Sequence, residues 1–294
     1  MVEKPALRTE TAVGEALRAV AQDICARARS AVEDRTSADA VVVHEFRKEM
    51  KHWRALLGLL SAFLGEEAER FRIEARSLAR RLSGARDSHA ALDALGDLAE
   101  HDLPLSARSV ATLRRRIEAL RQTQETTSLT AEMRNELVTA LEHASAATQQ
   151  WPLHLLTFQD VARLLSSSYR AVRRALPEDW VHAGGEELHD LRKLIISHRY
   201  QMEIVEPLWP HFARMWVGEN QRLRNYLGQY QDLLVLERMA GPHQPLVRWR
   251  SRLVPAIARR KARHVAAARR LAKRLYVEKP GSFRRRLEVM WETG

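Results

Sequence analysis

The chain has 294 residues, 45% of them apolar and 29% charged, which suffices for a packed core and excludes a disordered tail. Its 12 Gly and 10 Pro are too few for the many turns of a sandwich or a propeller. A net charge of +11, with 41 of the 48 basic residues Arg, points to a polyanionic partner, because the Arg fork matches phosphate oxygens two at a time.

Residues 1–20 carry acids and no apolar run, so no signal peptide is expected there. Val13, Leu17, Val20, Ile24 and Ala28 then recur on one helical face within residues 10–32. Cys25 falls in this stretch and is the only cysteine. No internal disulfide can form, which fits a reducing, cytoplasmic setting. A second helix is predicted over residues 39–64, with Val43, Phe46, Met50, Trp53, Leu57, Leu60 and Leu64 on its apolar side. Its uncharged part, residues 55–65, is too short to span a bilayer. Helical segments continue to the end, broken near Gly65, Gly84, Pro104, residues 126–130, Trp151, Pro177, Gly184, residues 207–210, residues 241–245 and Pro280. Pro255 lies inside a helical pattern and is expected to kink that helix or start a new one.

The chain repeats itself. VHEFRKEMKHWRALL begins at Val43 and LHDLRKLIISHRYQM at Leu188. His44, Arg47, Lys48 and Arg54 align with His189, Arg192, Lys193 and Arg199 at an offset of 145 residues. The same offset aligns LSGARD, residues 82–87, with LGQYQD, residues 227–232. Two matches at one offset imply a single unit over residues 1–294 built from two helical halves, about 9–150 and 151–292, packed through a pseudo-twofold axis.

On a helix, His44, Arg47, Lys48 and Lys51 fall within about 100° of arc, with Arg54 on the shoulder and Phe46, Met50 and Trp53 opposite. Glu45 and Glu49 point away from this basic stripe, which therefore reads as uncompensated and as an anion site. In the second copy Ile196 stands for Lys51 and Ser197 for His52, which weakens it. Arg72, Arg76 and Arg80 form a further row at i, i+4, i+8; Arg86 precedes Asp87; and the second half supplies Arg214, Arg222 and Arg224 in the matching segment. Asp87 reads as a structural residue that holds a nearby Arg or caps a helix. Residues 248–286 hold 15 bases and one acid, Glu278. Arg259, Arg260 and Arg263 there, with Arg114 and Arg116 in the first half, are candidates for additional basic surface. No zinc spacing, P-loop, dinucleotide fingerprint or nucleophile elbow occurs, so neither a metal, a cofactor nor a catalytic residue is expected.

The duplicated HEFRK and HDLRK, each followed by LSGARD or LGQYQD, resemble the CHAD family, the conserved histidine α-helical domain, over roughly residues 9–292. The resemblance implies an all-α fold of two four-helix-bundle-like halves around a basic central groove. It also implies non-catalytic binding of inorganic polyphosphate and, for some members, association with polyphosphate-containing granules. The motif positions His44, Arg47, Lys48, Lys51, Arg54, His189, Arg192, Lys193 and Arg199 would then line the groove. Ile196 and Gln231 depart from the pattern, so the two halves are not expected to share the site evenly. Family members are often fused to a triphosphate-hydrolysing CYTH domain; its ExExK signature is absent, so no phosphohydrolase is expected in this chain.

Two other functions compete. RNA or DNA would suit the net charge, and weak nucleic-acid binding is expected on that ground alone, but exposed aromatic platforms for single strands are not evident. A phosphohistidine carrier would also use a helix-borne His beside a basic residue.

Overall fold

The computed structural model describes residues 5–82, 86–101, 103–124 and 129–294. Among the described residues there are eleven α-helices and no strand, and 82% of the chain is helical. In order they are α1 (Val13–Glu33), α2 (Asp39–Leu64), α3 (Glu66–Arg81), α4 (Arg86–His101), α5 (Ala107–Gln124), α6 (Ala131–Gln150), α7 (Phe158–Arg174), α8 (Gly185–Glu203), α9 (Pro210–Met239), α10 (Arg250–Leu275) and α11 (Pro280–Thr293). Several boundaries follow local chemistry. Gly65 adopts φ 59° between α2 and α3, a conformation that favours a residue without a Cβ. Thr157 and Asp160 cap the start of α7 reciprocally, and Pro210 and Pro280 occupy the first turns of α9 and α11. Pro255 does not interrupt α10, which runs through it. The breaks expected at Gly84 and across residues 126–128 lie outside the described residues.

Packing follows the offset of the two motifs. In the first half α1 packs on α2 and α6, α2 on α3, and α4 on α5. In the second half α7 packs on α8 and α11, α8 on α9, and α9 on α10. The long helix α9 thus stands where the first half has α3 and α4. Between the halves, α2 lies on α8 and α4 on α9. Ala55 and Tyr200, 145 residues apart, sit at the α2–α8 crossing. The Gln201 amide donates to the Ala55 carbonyl at 2.8 Å, and the His52 ring meets the Tyr200 ring edge-on at 3.9 Å between centroids.

The buried apolar residues do not divide at residue 150. One cluster joins α1, α2, α3, α6, α7, α8, the start of α9, the end of α10 and α11. A smaller one joins α4 and α5 to the end of α9 and the start of α10. Each draws on both sides of the repeat, so neither half closes its core alone. Trp53, Phe46 and Phe71 are buried in the first cluster, Trp53 stacking on Trp151 with centroids 5.7 Å apart. The apolar side predicted for residues 39–64 therefore packs as expected, while the side that carries His44, Lys48 and Lys51 continues through buried Ala55 and Leu59 into the α2–α8 crossing.

Candidate functional site

Helices α2 and α3 run against each other, and their basic rows meet. Arg54 on α2 is half-buried and faces Arg72 and Arg76 on α3. Its pKa is lowered, first by burial and then by the repulsion of Arg76 and Arg72. Among the described residues no carboxylate pairs with Arg54, Arg76 or Arg80, whereas Arg72 reaches Glu69 at 2.6 Å. Like charges held together without counter-charge disfavour the empty state, and a bound anion would relieve them.

The second half repeats the theme with more compensation. Arg224 on α9 is half-buried, and its pKa is lowered by burial and by Arg199, the counterpart of Arg54. Arg199, however, pairs with Glu203 at 2.6 Å and lies over the Tyr200 ring at 4.0 Å. Arg222 is exposed and pairs with Glu219 at 2.6 Å, so it does not join Arg199 and Arg224.

The stripe on α2 is less bare than the helical wheel implies. Lys48 pairs with Glu45 at 2.8 Å and its counterpart Lys193 with Asp190 at 2.7 Å, both at i, i+3. Both the Lys and its partner are long or adjacent enough to bend together across the arc that separates them. The expectation of an uncompensated stripe fails at these two positions. His44 is exposed, and Lys51 and His189 are half-buried.

Arg47 and Arg192, both expected to line a groove, each touch backbone of the second motif. Arg47 Nη1 donates to the Leu82 carbonyl at 3.4 Å. Arg192 lies against Gly228, where a Cβ would stand 3.4 Å from both Nε and Nη2. Bare backbone at Gly228 is what lets the guanidinium lie flat on α9. In both halves, then, the Arg of the first motif touches the start of the second, and the two motifs recur together because they pack together. Gln231 continues this in the second half by donating to the Gly185 carbonyl at 2.7 Å, at the start of α8. The side chain of Arg86, its counterpart, lies outside the described residues. Asp87 approaches Arg238 only at 3.9 Å, with both side chains exposed.

Beneath the site lies a polar network that the helical wheel misses. Glu49 is 3% exposed and accepts from Arg27 at 2.9 Å and from His52 at 3.0 Å; His52 also approaches Glu203 at 3.7 Å. Burial acts to raise the Glu49 pKa, but the hydrogen bonds from His52 and Arg27 outweigh it and hold it at about 2. Buried Arg134 is equally unforeseen. It donates to the Val32 and Asp34 carbonyls at 2.5 and 2.9 Å and pairs with Asp39 at 2.7 Å, tying α6 to the α1–α2 connection. His198 is fully buried among Tyr169, Trp216, Tyr276 and Phe283, and burial lowers its pKa to about 3. It is a neutral core residue. Apart from His52, three residues from Glu49 on α2, their partners come from other helices, so no sequence spacing marks them.

Of the additional basic positions, Arg114 and Arg116 on α5 and Arg259 and Arg263 on α10 are exposed. Arg260 is not surface charge. It grips Asp97 of α4 through both nitrogens of its fork at 2.8 and 2.5 Å, beside His264 at 2.9 Å. Burial would raise the Asp97 pKa, but His264 and Arg260 hold it well below the usual carboxylate range. This is a helix-to-helix tie, and the expectation of a binding role for Arg260 is corrected accordingly.

Among the described residues no group of three His, Cys, Asp or Glu is placed to hold a metal, and no helix is long and apolar enough to cross a membrane. No curated protein matches the chain. The CHAD domain matches residues 15–241, which reach from α1 to the end of α9 and contain both copies of both motifs. The match stops short of the 9–292 span that the motifs suggest, although α10 and α11 pack as counterparts of α5 and α6. With more than half its length matched and all-helical packing around the duplicated HEFRK and HDLRK segments, the chain belongs to the CHAD domain family.

Proposed function

We propose that this chain is a non-catalytic binding module for inorganic polyphosphate, as CHAD domains in general bind that polymer. The observation that carries the reading is the convergence of Arg54, Arg72 and Arg76, where burial and then the repulsion of Arg76 and Arg72 lower the Arg54 pKa and, among the described residues, no carboxylate pairs with Arg54 or Arg76. Arg199 and Arg224 form a second, partly neutralised cluster across the repeat. In this reading the two halves are one unit related by a pseudo-twofold axis at the α2–α8 crossing. A phosphate chain laid in a groove would engage both clusters, and linkage of many modest contacts on one polymer gives avidity. Cytoplasmic granules that contain polyphosphate are the setting that fits such a module. Retention there rather than turnover is its expected role.

The test is a competition titration at two salt concentrations. Long-chain polyphosphate should displace heparin and tRNA from the protein, and its affinity should fall steeply with salt. Replacing Arg54 and Arg76 together by Gln should weaken polyphosphate binding on the order of 100-fold or more, because each charge-assisted contact is worth about 1.5–3 kcal/mol. An unchanged affinity in that variant, or preferential binding of tRNA, overturns the reading.

A further inference from the structure

Helix α10 carries a second set of charges that the motif site does not use. Arg252, Arg259, Arg263, Arg270 and Arg274 are all exposed. Their spacings of 7, 4, 7 and 4 residues keep them within about 60° of arc at 100° per residue. They therefore form a single row about 33 Å long, from a rise of about 1.5 Å per residue. Among the described residues, no carboxylate pairs with Arg252, Arg259, Arg270 or Arg274. The acids Asp97 and Glu237 reach α10 on its packed flank, where they engage Arg260 and Lys261.

Beside the first four turns of the row runs a lane of small exposed side chains, Ser251, Pro255, Ala258, Ala262 and Ala266, which exposed Arg269 and Lys273 then continue as further charge. Helix α10 contains no acid at all, and no aromatic. It also lies outside the residues matched by the CHAD domain. A helical face that is convex and cationic differs from a concave site for a thin phosphate chain. A flexible polymer gains little from a convex row, because it must be ordered at full entropic cost on an open surface. A stiff duplex already holds its phosphates in place over tens of ångströms, and one turn of it measures about 34–36 Å, close to the length of the row. The small-residue lane lets the helix approach a duplex backbone without steric bulk, and the lack of aromatics argues against stacking on single strands.

We propose that the exposed face of α10 is a docking surface for the phosphodiester backbone of double-stranded nucleic acid, read without regard to sequence. The proposal goes beyond polyphosphate binding at the motif site, and the two stand or fall separately.

The test is fluorescence anisotropy of the full chain with 20-base-pair DNA and RNA duplexes and a 20-nucleotide single strand, across a salt series. Each phosphate neutralised on a duplex contributes about −0.9 to the log–log salt slope, so the four Arg without a carboxylate partner predict a negative slope of at least about 3.6 in magnitude. The variant Arg259→Gln/Arg270→Gln/Arg274→Gln should lose roughly 2.7 units of that slope and on the order of 100-fold in duplex affinity, while its polyphosphate affinity changes less than threefold. The variant Arg54→Gln/Arg76→Gln should show the converse. Binding of either duplex by the wild type with this pattern supports the proposal. The proposal is overturned by no duplex binding, by tighter binding of the single strand, or by equal losses of duplex and polyphosphate affinity in the α10 variant.

Discussion

The convergence of Arg54, Arg72 and Arg76 has a consequence for stability that opposes its consequence for binding. Replacing Arg76 by Gln keeps the length of the side chain and its helix propensity while removing one of the charges that face Arg54. Arg76 is exposed and Arg54 half-buried, so the repulsion acts through a largely aqueous medium. For a separation taken as about 7 Å and an effective dielectric of about 60, two unit charges repel by roughly 0.8 kcal/mol, less after salt screening. Arg76→Gln should therefore stabilise the empty protein by about 0.5 kcal/mol, a rise in Tm of about 1–2 °C for a chain of this size. The same substitution removes a charge-assisted contact to phosphate, worth about 1.5–3 kcal/mol, and should weaken polyphosphate binding by roughly 10- to 150-fold. Thermal unfolding at low salt, with and without long-chain polyphosphate, reads both effects: the variant should melt higher alone and lower with ligand. Added salt should raise the melting temperature of the wild type more than that of the variant. A variant that melts lower without ligand, or that keeps wild-type affinity, refutes the idea that these guanidiniums are held together for an anion.

Three further outcomes follow from the packing. Arg47→Ala should lower stability by about 1 kcal/mol, through loss of its bond to the Leu82 carbonyl, whereas Lys48→Ala, which breaks an exposed pair, should stay within about 0.5 kcal/mol; urea unfolding of the two single variants checks this. Gly14→Ala would place a Cβ 2.3 Å from the Leu153 carbonyl oxygen, and should cost more than about 2 kcal/mol by the same measurement, since backbone must move. Glu49 has its folded pKa depressed to about 2, so the stability it contributes is fully present above its ordinary value, near 4.5, and is lost as pH falls towards 2. The contribution is at most about 3 kcal/mol, and Glu49→Gln should flatten the stability profile between pH 5 and pH 2 in urea titrations.

Much of the fold is legible in the sequence because helical periodicity and helix breakers are local signals. One packed side of α2 follows from Phe46, Met50 and Trp53 alone, but the burial of Ala55 and Leu59 against α8 does not. The partners of the polar side chains are another matter. Lys48 and Lys193 turn back onto Glu45 and Asp190 because long side chains cross arcs that a helical wheel treats as separations. Arg260 is taken up by Asp97, 163 residues away, and Glu49 by Arg27, 22 residues away. Tertiary contacts decide these, and no spacing within one helix announces them. The approach of Arg54 to Arg72 and Arg76 needs only two adjacent antiparallel helices, yet its register had to come from the structure.

Duplication explains both what the two halves share and where they part. Contacts that shape the fold recur: the motif Arg lies on the start of the second motif in each half, at Leu82 and at Gly228. Contacts that would meet a ligand do not recur. Arg54 faces two guanidiniums, while Arg199 has Glu203 and the Tyr200 ring as partners. A scaffold built from two copies of one motif pair needs the packing residues of that pair twice, because α2 and α8 lie against each other. It needs a strong anion cluster only once, since a polymer anchored at one cluster is held at high effective concentration over the rest of the surface. The second cluster is then free to be neutralised, and its Glu203 also approaches His52 of the first half. Removing that acid by Glu203→Gln should therefore act in two directions: it should strengthen polyphosphate binding by roughly 3- to 10-fold by freeing Arg199 for the ligand, and slightly weaken the α2–α8 crossing. Isothermal titration beside urea unfolding separates the two. A Glu203→Gln variant that binds polyphosphate no better than wild type would show that the second half has become scaffold alone.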